Sequence, residues 1–467
     1  MISNTRGPRL SKSVAAFMFI QGGIAFGSVY LAAELRFLFD PEINAYLEDL
    51  WPSALTFAAM TVLGLASIGL YRQQLRGNLS QVLLQIAFGI VIAMIGTALI
   101  FYLIPSIYIG RGVISLAMLL TFLGAICSQL IFLKLLDHEA FKQRVLMYGA
   151  GQNAQALMER LQRKSDQRRF HIVGFVPVSG ESACIPEDHH IHADETDLVN
   201  LAQRERVDEI VIVMDEKRNQ LPLEQLLTLK FSGLKIRNAS DFYEHYMGKL
   251  KVDLMPPSSL IFASGFERNN REEILKRMLD IGVSTTMLVL LWPIMLLTAF
   301  AIRLEDGWRA PILYRQTRVG RYETPFKVLK FRSMRPNAEA DGKARWATTN
   351  DNRITRVGGF IRKYRIDELP QLFNVLAGQM SLVGPRPERP EFVARLSQNI
   401  PYYNLRHNVR PGVTGWAQIS YPYGATERDA LEKLQYDLYY VKYANLLFDL
   451  YILLGTVEVI LMRKGGR

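Results

Sequence analysis

At 467 residues the chain is too long for one ordinary domain, and two or three folding units are expected. Hydrophobic residues make up 49% of it, charged residues 21%, and the formal net charge is +11, which implies an anionic contact: nucleic acid, a headgroup surface or a phosphorylated substrate. Its two cysteines, Cys127 and Cys184, lie in different segments and exclude a disulfide framework or a cysteine-ligated metal.

Four stretches carry no charge: Ser13 to Ala33, Trp51 to Tyr71, Val82 to Gly110 and Gly112 to Leu133. Each reaches the roughly 20 residues that a helix needs to cross a bilayer core. They begin too far in, and recur too often, for a cleaved signal peptide. Arg6, Arg9 and Lys12 precede the first run, Arg72 and Arg76 separate the second from the third, and Lys134, Lys142 and Arg144 follow the fourth. The connection between the first and second is acidic instead, with Glu34, Asp40, Glu42, Glu48 and Asp49. Because basic residues favour the cytoplasmic side, the amino terminus and everything after Leu133 are expected there. A soluble bundle would need polar faces that these helices lack.

From Arg144 the pattern alternates strand and helix. Strands are expected at Val145–Tyr148, His171–Val176, Asp208–Asp215 and Leu234–Arg237, with a helix over Ala156–Arg163, as in a small doubly wound α/β domain. The turn Gly149-Ala150-Gly151-Gln152-Asn153-Ala154 fits the dinucleotide fingerprint as GxGxxA. The second strand ends in Val176-Pro177-Val178, without the ribose-binding acid. A structural turn is therefore the preferred reading over a nucleotide site.

A fifth apolar run, Ile281 to Ile302, has Lys276 and Arg277 on one side and Arg303 and Arg309 on the other. Pro293 lies inside it and removes a backbone donor. A helix that enters the membrane, bends at Trp292-Pro293 and leaves on the same side satisfies both facts. Near the carboxyl end, Leu446 to Glu458 is apolar but contains Asp449 and Glu458, which argues for a helix in the membrane interface. Tyr402, Tyr403, Tyr421, Tyr423, Tyr436, Tyr439, Tyr440 and Tyr443 suit either a headgroup boundary or ordinary packing.

The chemistry gathers after Glu305. Asp367 and Glu368 are adjacent, so on a helix they point about 100° apart. Such a pair can divide labour, one attacking phosphorus while the other holds a divalent cation. An isolated Asp-Glu would read as a helix cap. This one has Arg362 and Arg365 upstream and Gly384-Pro385-Arg386-Pro387 downstream, whose prolines pre-set the direction of an arginine fork. Earlier, Lys327, Lys330 and Arg332 crowd Phe326–Met334, and a strand would put Lys330 and Arg332 on the face of Val328.

From about Lys276 onward the chain resembles the bacterial polyprenyl-phosphate sugar-1-phosphate transferases of the monotopic phosphoglycosyl transferase superfamily. The motifs that carry the resemblance are Lys276-Arg277-Met-Leu-Asp280, Phe331-Arg332-Ser333-Met334, Ile366-Asp367-Glu368-Leu369-Pro370-Gln371-Leu372, Met380-Ser-Leu-Val-Gly-Pro-Arg-Pro387 and Arg410-Pro411-Gly412-Val-Thr414-Gly415-Trp416. The whole chain is similar to the long form, and Pro387-Glu388-Arg389-Pro390-Glu391-Phe392 looks like the exosortase (PEP-CTERM) branch. The architecture implied is a multi-domain membrane protein. It has a four-helix transmembrane bundle (1–140), a Rossmann-like α/β domain (141–268) and an α/β catalytic domain (269–467) with a re-entrant membrane helix at about 278–302. Lys276, Arg277, Asp280 and Pro293 would be the structural residues of that re-entrant segment.

The resemblance further implies attack by Asp367 on the β-phosphate of a UDP-sugar, release of UMP, and transfer of the aspartyl phospho-sugar to undecaprenyl phosphate. Glu368 would bind Mg²⁺. Arg362 and Arg386 would contact nucleotide or phosphates, with Lys327, Lys330 and Arg332 as further substrate-binding cations. Expected partners are membrane lipids, a second copy of the chain in a homodimer and other polysaccharide-assembly proteins, but no nucleic acid. The expected location is the bacterial inner membrane, with the catalytic domain on its cytoplasmic face. Two rivals are weaker. A membrane-bound nucleotide-sugar dehydratase wants Tyr-x-x-x-Lys in the α/β domain, and none occurs between Arg144 and Lys251. A non-enzymatic scaffold would show a degraded site. Donor selection is expected in the loops Arg335–Arg353 and Tyr421–Glu427.

Overall fold

A computed structural model describes residues 12–37, 47–71, 79–137, 142–159, 161, 170–178, 180–191, 198–215, 221–252, 265–266, 270–307, 310–335, 353–421, 424 and 426–461. The donor-selecting loop expected at Arg335–Arg353 lies almost wholly outside them, as does Tyr423. The chain divides into two compact units, one comprising Leu10–Leu65 with Leu70–Lys251, the other chiefly Val252–Arg467.

The first unit opens with four apolar helices, α1 (Lys12–Arg36), α2 (Trp51–Ser67), α3 (Leu79–Leu103) and α4 (Arg111–Asp137). Small residues let them approach closely. Ala25, Ala32 and Ala33 are buried with Ala54 and Ala117, and a Cβ on Gly64 of α2 would strike the Gly89 carbonyl of α3. A partly buried polar thread crosses the bundle: the Tyr71 hydroxyl donates to Gln21, whose amide donates to Ser128. Outward-facing side chains are apolar, as at Phe19 (85% exposed) and Tyr102 (83%).

Helices α1, α3 and α4 are long and apolar enough to cross a membrane. Helix α2 falls short of the expected Trp51–Tyr71. Its 17 residues rise roughly 26 Å against a core of about 30 Å. It stops because Gly69 turns left-handed (φ +74°) and the Leu70 amide closes back on the Leu65 carbonyl. The third expected span also ends early, at Leu103, two residues before Pro105 opens a 3₁₀ turn.

A parallel four-stranded sheet follows, from β1 (Gln143–Tyr148), β2 (Phe170–Val176), β3 (Glu209–Ile212) and β4 (Lys235–Asn238), in the order β2-β1-β3-β4. Its central strands are apolar on both faces, as helix-covered parallel strands must be. Val145 and Met147 pack with Phe170 and Phe242 on one side, Leu146 and Ile210 with Leu198 and Leu226 on the other. The covering helices are α5 (Gln152–Met158), α6 (Leu198–Arg204), α7 (Leu223–Phe231) and α8 (Ala239–Met247). Helix α5 starts directly from the glycine turn, four residues earlier than the expected Ala156.

The second unit is organised by α9 (Asn270–Asp306), a 37-residue helix with Pro293 inside it, also long and apolar enough to cross a membrane. Most of its apolar surface is open, with Leu290 69% and Trp292 56% exposed. Both of its ends are fastened to the same folded body. Near the start, Arg277 donates to the Val375 and Leu376 carbonyls, while Asp280 accepts from the Ser381 hydroxyl and the Leu382 amide. At the finish, Ile302 is buried with Phe331 and Ile361, and Asp306 pairs with Arg332.

That body contains an antiparallel hairpin of β5 (Leu313–Val319) and β6 (Pro325–Phe331), with Tyr314 opposite Lys330. Helices α10 (Arg356–Lys363) and α11 (Gln371–Leu376) follow, then β7 (Ser381–Val383) and α12 (Pro390–Asn399). Strand β8 (Gly412–Thr414) pairs parallel with β7 ahead of α13 (Trp416–Ser420), α14 (Glu427–Tyr443) and α15 (Leu446–Leu461). The acids of α15 do not mark an interface face: Asp449 and Glu458 are both buried. Asp449 receives Lys276 at 2.6 Å and the Tyr440 hydroxyl at 2.7 Å, which ties α15 to α9 and α14. Several of the tyrosines are packing residues: Tyr403, Tyr439 and Tyr440 are buried, and Tyr436 and Tyr439 join Trp416 in an aromatic cluster.

Removing one partner of a buried ion pair strands the other charge. Asp449→Ala is expected to destabilise the protein by about 3 kcal/mol. Lys276→Met with Asp449→Leu should recover most of the loss. Thermal unfolding in detergent, followed by near-UV circular dichroism, checks both.

Candidate active site

Asp367 and Glu368 sit in a 3₁₀ turn, Ile366–Glu368, between α10 and α11. Neither caps a helix. The turn is closed by backbone bonds from the Glu368 amide to Arg365 and the Leu369 amide to Ile366. It is entered through Arg365, whose φ of +58° is left-handed and reverses the chain after α10. Three residues per turn sends the two carboxylates roughly 120° apart.

Both carboxylates are buried, and three cations converge on one oxygen of the second. Glu368 Oε1 lies 3.1 Å from Lys330 Nζ, 2.9 Å from Arg386 Nη2 and 3.7 Å from Arg365 Nη1. Every contact of Glu368 falls on Oε1, and Asp367 Oδ1 is buried with no hydrogen-bond partner among the described residues. The environments drive the two acids apart. Burial and the neighbouring Glu368 charge push Asp367 up to about 6, against Lys330, Arg362 and Arg365. Burial also works against the Glu368 charge, but Arg386, Lys330 and Arg365 prevail and hold it well below the usual carboxylate range. Burial in turn lowers Lys330, with Glu368 opposing. Two carboxyl groups separated in this way can take two roles.

The supports of these side chains are specific. Asn374 of α11 acts as a strand neighbour to β6: its Oδ1 accepts from the Leu329 amide and its Nδ2 donates to the Lys327 carbonyl, which fixes the strand that carries Lys330. Glu305, at the end of α9, accepts from the Arg356 and Val357 amides, and the Thr355 hydroxyl accepts from Gly358. Those bonds satisfy the open N-terminus of α10, the helix that leads into the acidic turn. The Arg386 loop approaches β8 so closely that a Cβ on Gly384 or Gly412 would collide with the other's backbone.

The structure brings Lys330 and Arg386 to the acidic pair as the sequence suggests. Arg362 is half-buried at the end of α10 and reaches Asp367 through its charge, not through contact. Lys327 holds its side chain out on the exposed surface. Arg332 departs from its expected role. One residue beyond β6, its amide donates to the Ile312 carbonyl and its buried guanidinium pairs with Asp306 at 2.9 Å, making it a brace for α9. Lys276, Arg277 and Asp280 anchor α9 as described above. Arg365, named beside Arg362 but given no role, joins the site, whereas Asn374 and Gln418, whose amide oxygen accepts from Arg386 Nη1 at 3.1 Å, were missed. Neither of the two missed residues lies in a local pattern that marks it. No cluster of three or more His, Cys, Asp or Glu able to hold a metal occurs among the described residues.

At the glycine turn of the α/β sheet the amides are already taken. Asp215 accepts from the Gln152 and Asn153 amides at 2.8 and 2.7 Å. Glu181 accepts from the Ala150 amide at 3.2 Å and the Asp215 amide at 2.7 Å. A Cβ on Gly149 would meet the Met214 backbone and one on Gly151 the Asp215 carboxylate, so the glycines make room for the chain itself.

Residues 271–463 match the family described as bacterial sugar transferase, and residues 66–228 match one described as a CoA-binding domain. The UDP-N-acetylgalactosamine-undecaprenyl-phosphate N-acetylgalactosaminephosphotransferase of Aeromonas hydrophila is 46% identical over 193 residues, 41% of this chain and 45% of that protein. The UDP-glucose:undecaprenyl-phosphate glucose-1-phosphate transferase of Klebsiella pneumoniae is 37% identical over 324 residues, 68% of this chain and 67% of that protein. An uncharacterized sugar transferase of Haemophilus influenzae is 30% identical over 392 residues, 78% of each chain. The Aeromonas match thus spans less than half of that relative. Coenzyme A does not fit the glycine turn found here, because its phosphates would have to displace two carboxylates and face their charge. Millimolar coenzyme A is expected to leave the melting temperature of the protein unchanged. Asp215→Ala, which removes a cap with two bonds, should lower stability by about 1 kcal/mol in the same assay.

Proposed function

The chain belongs to the bacterial sugar transferase family, and we propose that it moves a sugar-1-phosphate from a UDP-sugar to undecaprenyl phosphate, releasing UMP. The observation that carries this reading is the buried Asp367-Glu368 pair, with one acid neutralised by three cations and Oδ1 of the other without a hydrogen-bond partner among the described residues. Relatives whose names specify UDP-sugar donors and an undecaprenyl-phosphate acceptor support it.

Asp367 is the nucleophile of the proposal. Its carboxylate oxygen forms a bond to the β-phosphorus of the donor as the bond from that phosphorus to the bridging oxygen breaks and UMP departs. An oxygen of the acceptor phosphate then attacks the same phosphorus, breaks the aspartyl bond and restores the carboxylate. Two anions that repel each other thereby react in two steps. Lys330, Arg365 and Arg386 surround the place where phosphoryl charge develops, and stabilisation of that charge is the main task in such transfers. Glu368 fixes these cations through Oε1 and keeps Oε2 without a contact among the described residues. That oxygen would hold Mg²⁺, which binds through one or two carboxylates and substrate phosphates. Bound there, the ion would neutralise phosphoryl oxygens.

A cleft of about 680 Å³ supports a lipid acceptor. Met295 and Ala299 of the membrane helix line it, with Tyr314, Phe331, Pro370 and Phe373, so apolar surface runs from α9 to within two residues of Glu368. The fastening of both ends of α9 to one body supports a re-entrant helix, bent at Pro293, where the missing amide leaves a carbonyl one turn back unbonded. It also supports a catalytic domain held at one face of the membrane, the cytoplasmic face of the inner membrane in this proposal. The α/β sheet, with its glycine turn occupied, is assigned to pairing with a second copy or to regulation.

The purified protein, incubated with Mg²⁺, undecaprenyl phosphate and a panel of UDP-sugars, is expected to release UMP with at least one donor. Asp367→Asn should lower that rate by about 10³-fold or more. Absence of UMP with every donor would overturn the assignment. For the cleft, Phe373→Asp should raise the apparent KM for undecaprenyl phosphate about tenfold and leave the KM for the UDP-sugar within twofold.

A further inference from the structure

The backbone of Gly384–Glu388 is held at every residue. The Gly384 amide donates to the Thr414 carbonyl and the Pro385 carbonyl accepts from the Gly412 amide, both at 2.9 Å. The Arg386 carbonyl accepts from Arg406 Nη2 at 2.9 Å and the Pro387 carbonyl from Arg318 Nη1 at 3.0 Å. The Glu388 carbonyl accepts from the Val319 amide at 3.0 Å. Four of these five bonds involve neighbours in the sheets or in a partly exposed surface cluster. The bond to Arg386 itself comes from a guanidinium only 6% exposed.

Arg406 is itself fixed. It lies in a 3₁₀ turn, Tyr403–Asn408, donates Nη1 to the Tyr403 hydroxyl at 2.6 Å and pairs through Nη2 with Asp437 of α14 at 2.7 Å. Asp437 is 2% exposed. One guanidinium nitrogen therefore bridges a buried carboxylate and the carbonyl of Arg386. At the other end of Arg386, Nη2 meets Glu368 Oε1 and Nη1 donates to the Gln418 amide oxygen at 3.1 Å.

We propose that Arg406, anchored by Asp437, is a positioning residue of the transfer reaction: it fixes the Arg386 carbonyl and so holds the Arg386 guanidinium on Glu368. This rests on the function proposed above and adds a residue that touches neither donor nor acceptor. A buried ion pair by itself contributes little net stability, and an apolar pair of similar volume often serves as well. The third acceptor, a backbone carbonyl two peptide bonds into a proline-flanked turn, is what an apolar replacement cannot supply. A displacement of about 1 Å in a catalytic group can cost up to 10²-fold in rate.

A double-mutant cycle between Arg406 and Arg386 tests this, with UMP release from UDP-glucose or UDP-N-acetylgalactosamine as the rate. Arg406→Lys alone is expected to lower kcat/KM by about tenfold or more. Added to Arg386→Ala, it should cost no more than about twofold, because the group it positions is gone. If the two losses multiply, Arg406 is only a packing residue and the proposal fails. A second arm does not depend on turnover. Hydrogen–deuterium exchange of the full-length protein should show faster exchange in the peptide covering Gly384–Glu388 of Arg406→Lys, with β5, β6 and α14 unchanged. Unaltered exchange at Gly384–Glu388 overturns the proposal whatever the rates, whereas altered exchange without UMP release by the wild-type protein would count against the function alone. Should Arg406→Lys not fold, Arg406→Met with Asp437→Leu removes both charges and is read in the same two ways.

Discussion

Two adjacent carboxyl groups in a buried site repel each other, and the second unit is arranged around keeping them different. Concentrating three cations on a single oxygen of Glu368 resolves the conflict: that acid is held as an anion, and Asp367 is left more basic, its Oδ1 without a hydrogen-bond partner among the described residues. Each cation arrives from a different element. Lys330 comes from β6, Arg365 from the left-handed residue before the turn, and Arg386 from the loop between β7 and α12. The site is therefore a junction, and the fold's task is to deliver three side chains to one atom.

That delivery is done largely by polar groups that never reach the site. Asn374 substitutes for a missing strand beside β6, Glu305 satisfies the start of α10, and a run of bonds immobilises the backbone around Arg386. The apolar core at Ile302, Phe331 and Ile361 brings the same elements together with less directionality. Burial of such side chains is worth about 1.5–3 kcal/mol each and sets which elements touch. The hydrogen bonds set where along their length they do so.

Much of this was legible in the sequence because it rests on local rules. The apolar runs, the doubly wound alternation of the α/β segment and the clustering of Asp367, Glu368 and Arg386 follow from hydropathy, periodicity and spacing. What could not be read depended on contacts far apart in the chain. Arg332 has the same chemistry as Lys330 two residues earlier, and only the position of Asp306 decides that it braces a helix. Asp449 looked like an acid at a membrane boundary until Lys276, 173 residues away, proved to be its partner. The glycine fingerprint was ambiguous for the same reason, since Asp215 and Glu181, which fill it, lie outside any local motif. The short reach of α2 is the opposite case, a local glycine turn overriding a hydropathy pattern that continues to Tyr71.

In the proposed re-entrant arrangement, a helix anchored at both ends to one folded body, with its apolar middle open, would also work as a depth gauge. In that arrangement the body could not ride higher or lower in the membrane without moving that whole apolar surface, so the height of the acidic turn above the hydrocarbon would be set by how far α9 reaches from its two moorings. Reagents that arrive from water and from lipid would then meet at a plane that belongs to the protein and not to the thickness of the bilayer around it.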